Sequence, residues 1–289
     1  MEIFVTGATG AIGRPLVEAL VADGHHVLAA TRHPESYEGP GTPVRFDLDA
    51  TGSPDPGQHA ASADAAYYLV HALDQKDFAA VDRDRVERFA DLWGPDRPVT
   101  YLGGLGEPGL GSDHLRSRHE IGVILRARCT TVELRAAMVL GAESISFQLL
   151  ARLGKLASHW PLPVPVPQAS AARTQPIGQA DLVDALVHAL ELAPGSYDVG
   201  GPEVIRYADL IARSARAQGG RLKVLPVVPV DPEWIGPVSA LVAGVDPWAT
   251  SALFAGMGDE TIVRDDHRIP GPPRATTSID DALAQALAG

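Results

Sequence analysis

Apolar residues in the first half of the chain fall into short runs that alternate with stretches of helical spacing. The runs 2–6, 26–31, 43–46, 65–70, 98–102 and 131–135 read as strands, and segments near 11–23, 77–93 and 112–128 as helices. Such alternation predicts an α/β fold, a Rossmann-type doubly wound parallel sheet. In the first helix Ile12, Leu16 and Leu20 share a stripe, and Gly24 supplies the stop. In the second, Asp77 is a cap candidate ahead of Phe78, Val81, Phe89 and Trp93. Arg83, Arg85 and Arg88 stand among acidic neighbours there and read as a solvated, ion-paired face.

Beyond residue 140 the pattern loosens. A helix near 146–154 precedes Trp160–Pro167, where proline at every second position allows only extended chain or loop. Helices at 180–192, 207–218 and 279–288 and strands at 196–199 and 223–227 follow, around a Pro-, Gly- and Trp-rich segment, 228–275. The expectation is a core, 1–140, and a smaller region, 141–289, that returns to the sheet and caps one end of it in a single compact unit.

Chemistry enters at residues 3–13, Ile3-Phe4-Val5-Thr6-Gly7-Ala8-Thr9-Gly10-Ala11-Ile12-Gly13. An apolar strand ends in three glycines spaced three apart and a helix follows. Gly7 permits the sharp turn, Gly10 lets backbone approach a pyrophosphate, and Gly13 lets helix pack on strand. The helix N-terminus offers its amides to phosphate. The core is therefore expected to bind a dinucleotide, and 141–289 to bind substrate. The second strand ends Thr31-Arg32-His33, with no carboxylate for a ribose 2′-hydroxyl. Arg32 suits a 2′-phosphate, so NADP(H) is preferred, with NAD(H) left open. After the third strand comes Phe46-Asp47-Leu48, whose carboxylate could accept from an adenine amino group or simply form a turn.

The bulk numbers narrow the partners. A formal net charge of −12 over 289 residues argues against nucleic acid or an anionic membrane. The apolar stretch 238–257 is interrupted by Asp246-Pro247 and does not read as a membrane span. No signal peptide is expected ahead of a strand that begins at once, and a single cysteine, Cys129, fits a reducing, cytoplasmic setting as a buried thiol. The ten histidines show no metal-ligand spacing, and no Gly-x-Ser-x-Gly elbow occurs. A small-molecule substrate is the expected partner; a homodimer is left open.

With the glycine triplet, Arg32 and Asp47 in place, the chain resembles the atypical or extended short-chain dehydrogenase/reductases, in particular the NmrA-like, YbjT-like NAD(P)H-binding group. The resemblance extends through Tyr67-Tyr68-Leu69-Val70-His71, Tyr101-Leu102-Gly103-Gly104-Leu105, His114–Glu120, Leu134-Arg135-Ala136, Gln175-Pro176-Ile177 and Tyr197–Pro202. It implies that Gly7, Thr9, Gly10, Ala11 and Ile12 line the pyrophosphate and that Arg32 holds the 2′-phosphate. It also implies that Asp47 and Leu48 meet the adenine, and Val70 and His71 the nicotinamide-side ribose. The group's superfamily uses a Ser or Thr after strand five and then Tyr-x-x-x-Lys. Here strand five is followed by Gly103-Gly104, and the Tyr and Lys slots hold His114 and Arg118.

Helix geometry gives those two residues a place. Ser112 is a plausible N-cap, and at 100° per residue His114, Arg118, Ile121 and Leu125 share a narrow stripe. Ile121 and Leu125 should face the sheet, which sets His114 and Arg118 over the strand ends, where open α/β sheets bind ligands. His114 could serve as general acid, Arg118 could hold a ribose hydroxyl or phosphate, and His71 is a second acid candidate. The reading that follows is an NADPH-dependent oxidoreductase without the usual Tyr/Lys pair. It would pass a hydride to a carbonyl or activated double bond of a small, largely apolar substrate, with 228–257 as lid or pocket wall. The alternative is a non-catalytic NADP(H)-binding redox sensor of the NmrA-like type; nucleotide-sugar epimerisation is third.

Overall fold

The computed structural model describes residues 1–49, 61–73, 75–107, 109, 111–158, 164–220, 224–228, 250–251, 255–271 and 274–289. Seven parallel strands form the central sheet: β1 (Glu2–Thr6), β2 (His26–Thr31), β3 (Thr42–Arg45), β4 (Ala65–Tyr68), β5 (Pro98–Gly104), β6 (Thr130–Ala136) and β7 (Gly195–Val199). Their order is β7-β6-β5-β4-β1-β2-β3, which reverses direction at β1 and is a Rossmann arrangement.

Strand alternation divides the core between the two sheet faces. Ile3 and Val5 point to α1 (Gly13–Ala22), whose Leu16, Val17 and Leu20 are buried with them. Phe4, between them, points the other way, towards α2 (Phe78–Trp93) and α3 (Asp113–Arg128), where Val86, Phe89, Trp93, Ile121 and Leu125 are buried. Helix α1 stops where Gly24 takes φ +84°: the Gly24 N–H donates to the Val21 carbonyl and the His25 N–H to that of Leu20. Cys129, at the end of α3, is buried.

The later elements return to the sheet and also form a cluster of their own. Strand β7 joins the sheet beside β6, and α5 (Gln179–His188) packs on α1. A third cluster joins α4 (Ile145–Ser158), α6 (Tyr207–Ala217) and α7 (Ile279–Ala288) through Phe147, Leu150, Leu210, Ile211 and Leu283. The expected helix 180–192 ends at His188 and continues only as a 3-10 turn over Ala189–Glu191. Most of 228–257, expected as a lid, lies outside the described residues. No helix among the described residues is long and apolar enough to cross a membrane.

Candidate active site

The turn after β1 has the tight geometry that the glycine spacing requires. Gly7 takes φ +69°, and its carbonyl accepts the Gly10 N–H at 2.9 Å. A Cβ on Gly13 would fall on that same Gly7 carbonyl, so only glycine lets α1 start so close to the strand. A cleft of about 320 Å³ opens above the turn, bordered by Gly7, Thr9 and Gly10, then by Arg32, Asp47 and Leu48, and by Val70 and His71. Ala11, Ile12 and Gly13 are not among its lining residues. Ile12 packs instead against the core, and Gly13 is buried beneath the turn.

Position in the cleft follows from the strand ends. Strand β4 was expected to run to residue 70, but pairing stops at Tyr68. The Leu69 N–H leaves the ladder and donates to Thr6 Oγ1 at 3.1 Å, bringing Val70 and His71 to the lip. Arg32 is exposed at the end of β2. Asp47 both lines the cleft and forms a turn, its Oδ1 accepting the Asp49 N–H at 3.0 Å.

Arg85 corrects the reading of α2 as a solvated arginine face. It is 7% exposed, borders the cleft and donates twice to Asp49, from Nε at 2.7 Å and from Nη2 at 2.5 Å. That pairing holds the Asp49 carboxyl below its usual range. Arg83 does pair at the surface, with Glu120, and Arg88 donates to the Leu48 carbonyl. A guanidinium buried under the adenosine end of the cleft was thus missed. The available signal was its place on the stripe Phe78, Asp82, Arg85, Phe89, Trp93, where polar residues interrupt a core-facing row.

On α3 the anticipated stripe holds. Ser112 caps the helix by accepting the Leu115 N–H, Ile121 and Leu125 are buried, and His114 and Arg118 lie nearer the strand ends. The Arg118 guanidinium turns to the sheet, donating to the Leu102 carbonyl and lying 5.2 Å from the Tyr101 ring centroid. It lines neither the cleft nor the cavity beside it, so its expected contact with a ribose or phosphate has no counterpart in this geometry. His114 reaches a second cavity of about 140 Å³, bounded by Gly104, Leu115, Ala136, Met138 and Tyr207. His71 lines the cleft and meets His114, which lines the cavity. Its Nε2 is 3.3 Å from His114 Nδ1, and its Nδ1 is 2.5 Å from Asp82 Oδ2, a fully buried carboxylate that sequence reasoning passed over.

The proton inventory of this region differs from a tyrosinate site. Tyr67, Tyr68 and Tyr101 are fully buried, and burial pushes each phenol far above its ordinary range. Tyr207 borders the small cavity but is likewise raised by burial, and its hydroxyl is engaged with Thr261 at 3.2 Å. Burial, helped by the neighbouring His71 and Arg118, holds His114 well below the usual histidine range. At neutral pH His114 is therefore an uncharged imidazole, able to donate at one nitrogen and accept at the other. Among the described residues no group of His, Cys, Asp and Glu forms a metal site.

The chain was compared with known proteins. Residues 3–83 match the NAD dependent epimerase/dehydratase family. No curated protein matches the chain. Among solved structures, the NAD dependent NDP-hexosamine 5,6-dehydratase TunA, involved in tunicamycin biosynthesis, is 16% identical with a TM-score of 0.66, covering 99% of this chain and 96% of that one. A short-chain dehydrogenase/reductase superfamily protein from Agrobacterium tumefaciens with bound NAD is 17% identical, TM-score 0.59, covering 78% and 85%. UDP-glucuronic acid 4-epimerase from Bacillus cereus, in complex with NAD, is 19% identical, TM-score 0.55, covering 90% and 97%. At these identities the likeness is one of fold. The chain shares its Rossmann-like fold with these proteins, and its residues 3–83, from β1 to the start of α2, match the NAD dependent epimerase/dehydratase family.

Proposed function

We propose that the protein is an oxidoreductase that uses NADP(H) in preference to NAD(H) and reduces a carbonyl or activated double bond of a small, largely apolar substrate. The observation that carries this reading is the contact between one histidine that lines the cleft and another that lines the second cavity. The glycine-floored cleft runs past Val70 and His71, and His71 hydrogen-bonds the histidine that borders the inner cavity. The residues present fit a nicotinamide dinucleotide: side chains on Gly7 or Gly13 would crowd backbone, and the residue that borders the cleft just after β2 is Arg32 and not a carboxylate. When bound, the reduced cofactor supplies a hydride. The chain's own part is to orient it, exclude water and deliver a proton from His114 to the substrate oxygen.

The size of the inner cavity supports a small substrate. Its volume of about 140 Å³ is near the roughly 150 Å³ of an engineered cavity that admits benzene. Leu105, Leu115, Ala136, Ala137 and Met138 supply much of its wall. The family match favours a second reading, sugar-nucleotide chemistry, since the Bacillus cereus structure is of a UDP-glucuronic acid 4-epimerase. Against that reading stands the histidine in the slot of the superfamily's tyrosine.

The test is NADPH oxidation against a panel of quinones, enones and ketones. Turnover is expected, and His114→Ala should slow it by about 10²-fold or more with little change in NADPH affinity. No turnover across the panel, with micromolar binding of both NADP+ and NADPH, would favour the redox sensor. Conversion of a UDP-sugar would favour the epimerase reading.

A further inference from the structure

Asp82 has no exposed surface, yets its carboxylate reaches the reaction cavity through two imidazoles. Oδ1 accepts the Ala72 N–H at 2.8 Å, and Oδ2 lies 2.5 Å from His71 Nδ1. An ionised carboxylate can only accept, so the hydrogen between them belongs to His71 Nδ1. The remaining nitrogen, His71 Nε2, faces His114 Nδ1 at 3.3 Å. One hydrogen fits between those two nitrogens. Placed on His71, it makes that ring an imidazolium beside Asp82 and leaves neutral His114 with its hydrogen on Nε2. Placed on His114 Nδ1, it leaves His71 neutral, and His114 stays uncharged because its Nε2 hydrogen leaves as this one arrives. Passing on the Nε2 hydrogen while taking the one from His71 turns His114 Nε2 from donor to acceptor and leaves the ring neutral.

We infer that Asp82 and His71 are positioning residues forming a proton relay, which supplies His114 with the proton it passes to the substrate. The inference rests on the proposed reduction and adds how its proton arrives. The bookkeeping closes. The His114 Nε2–H bond breaks as the substrate O–H bond forms, and His114 Nδ1 takes the hydrogen from His71 Nε2. His71 becomes neutral while keeping Nδ1–H on Asp82, and solvent returns one proton to it. The electron pair reaches the substrate carbon as the hydride of the reduced cofactor. The charged and titratable groups facing the two imidazoles and Asp82 include Arg85 on α2, Arg118 on α3, Tyr68 on β4 and Tyr101 on β5, with Tyr207 on α6 and Asp259 bordering the cavity. Phe78 closes the site, its ring centroid 6.5 Å from that of His71 and 6.3 Å from that of His114. The low proton affinity of buried His114 suits a ring that relays a proton and does not store one.

Two measurements on the full chain test the relay. Nitrogen-15 NMR without substrate should find His71 protonated at Nδ1, with a strongly deshielded hydrogen that Asp82→Asn removes. In kinetics, Asp82→Asn and His71→Gln should lower kcat by roughly 10²- to 10⁴-fold while NADPH affinity stays within about twofold. Asp82→Asn should also move the limb where activity falls with rising pH to lower pH, because the imidazolium loses its counter-charge; a purely structural role would not move it. His71 bare at Nδ1, or an Asp82→Asn enzyme with an unmoved pH limb, would overturn the relay. Should Asp82→Asn fail to fold, unchanged kcat in His71→Gln would do the same. These failures are separable from that of the proposed reduction, which falls if NADPH is oxidised with no member of the panel.

Discussion

Single residues decide the cofactor. At the end of β2 the choice between a carboxylate and a guanidinium is a choice between a 2′-hydroxyl and a 2′-phosphate, and this chain holds Arg32. Arg32→Asp should weaken NADPH binding by roughly 10²-fold while NADH changes only a few-fold, since a charge-assisted contact is replaced by repulsion. Isothermal titration with both cofactors checks this, and equal losses would remove Arg32 from the 2′-phosphate. Gly13 is equally exacting for a different reason. Gly13→Ala would press a methyl onto the Gly7 carbonyl. A loss of about 1–3 kcal/mol of stability is expected, read by urea denaturation.

At the level of elements, helix α3 presents His114 to the cavity, and its start depends on one hydroxyl. Ser112 Oγ accepts the Leu115 N–H at 3.3 Å, while the Ser112 N–H is fastened to Asp259 at 3.0 Å. Ser112→Ala should cost about 1 kcal/mol, lowering Tm by about 2–4 °C in a thermal melt. This helix was legible from its stripe alone, because Ile121 and Leu125 had to meet the sheet and carried His114 with them. The sheet was legible for a similar reason: buried parallel strands leave apolar runs, and Gly24 marks the end of α1. Helix α2 was harder to read. Asp82 and Arg85 are charged residues on a core-facing row; Arg85 read as part of a solvated face, and Asp82 was passed over. Only tertiary neighbours, the imidazole of His71 and the carboxylate of Asp49, make their burial tolerable. Arg118 shows the converse limit. Its position followed from the helical period, but the Leu102 carbonyl that takes its guanidinium comes from another strand.

The whole molecule joins a parallel sheet, with a cleft at its strand ends, to a second helical cluster built from later elements. Its stability should record the buried histidines. His114 and His119 are both held below the usual histidine value, chiefly by burial, so the unfolded chain binds protons that the folded chain refuses. Their contribution is complete above about pH 6.5 and is lost as pH falls from there towards their lowered values. Urea midpoints should decline between about pH 7 and pH 5.5, before the carboxylates titrate, and His119→Gln should flatten that slope. An unchanged slope would assign the dependence elsewhere.

The expectations for Arg32, Asp82, His71 and His114 rest on a nicotinamide dinucleotide occupying the cleft over Gly7 and Gly10. Calorimetric titration of the full chain with NADPH, NADP+, NADH and NAD+ tests that directly. Saturable one-to-one binding is expected, tighter for the two phosphorylated forms. Absence of heat or saturation with all four would contradict the account.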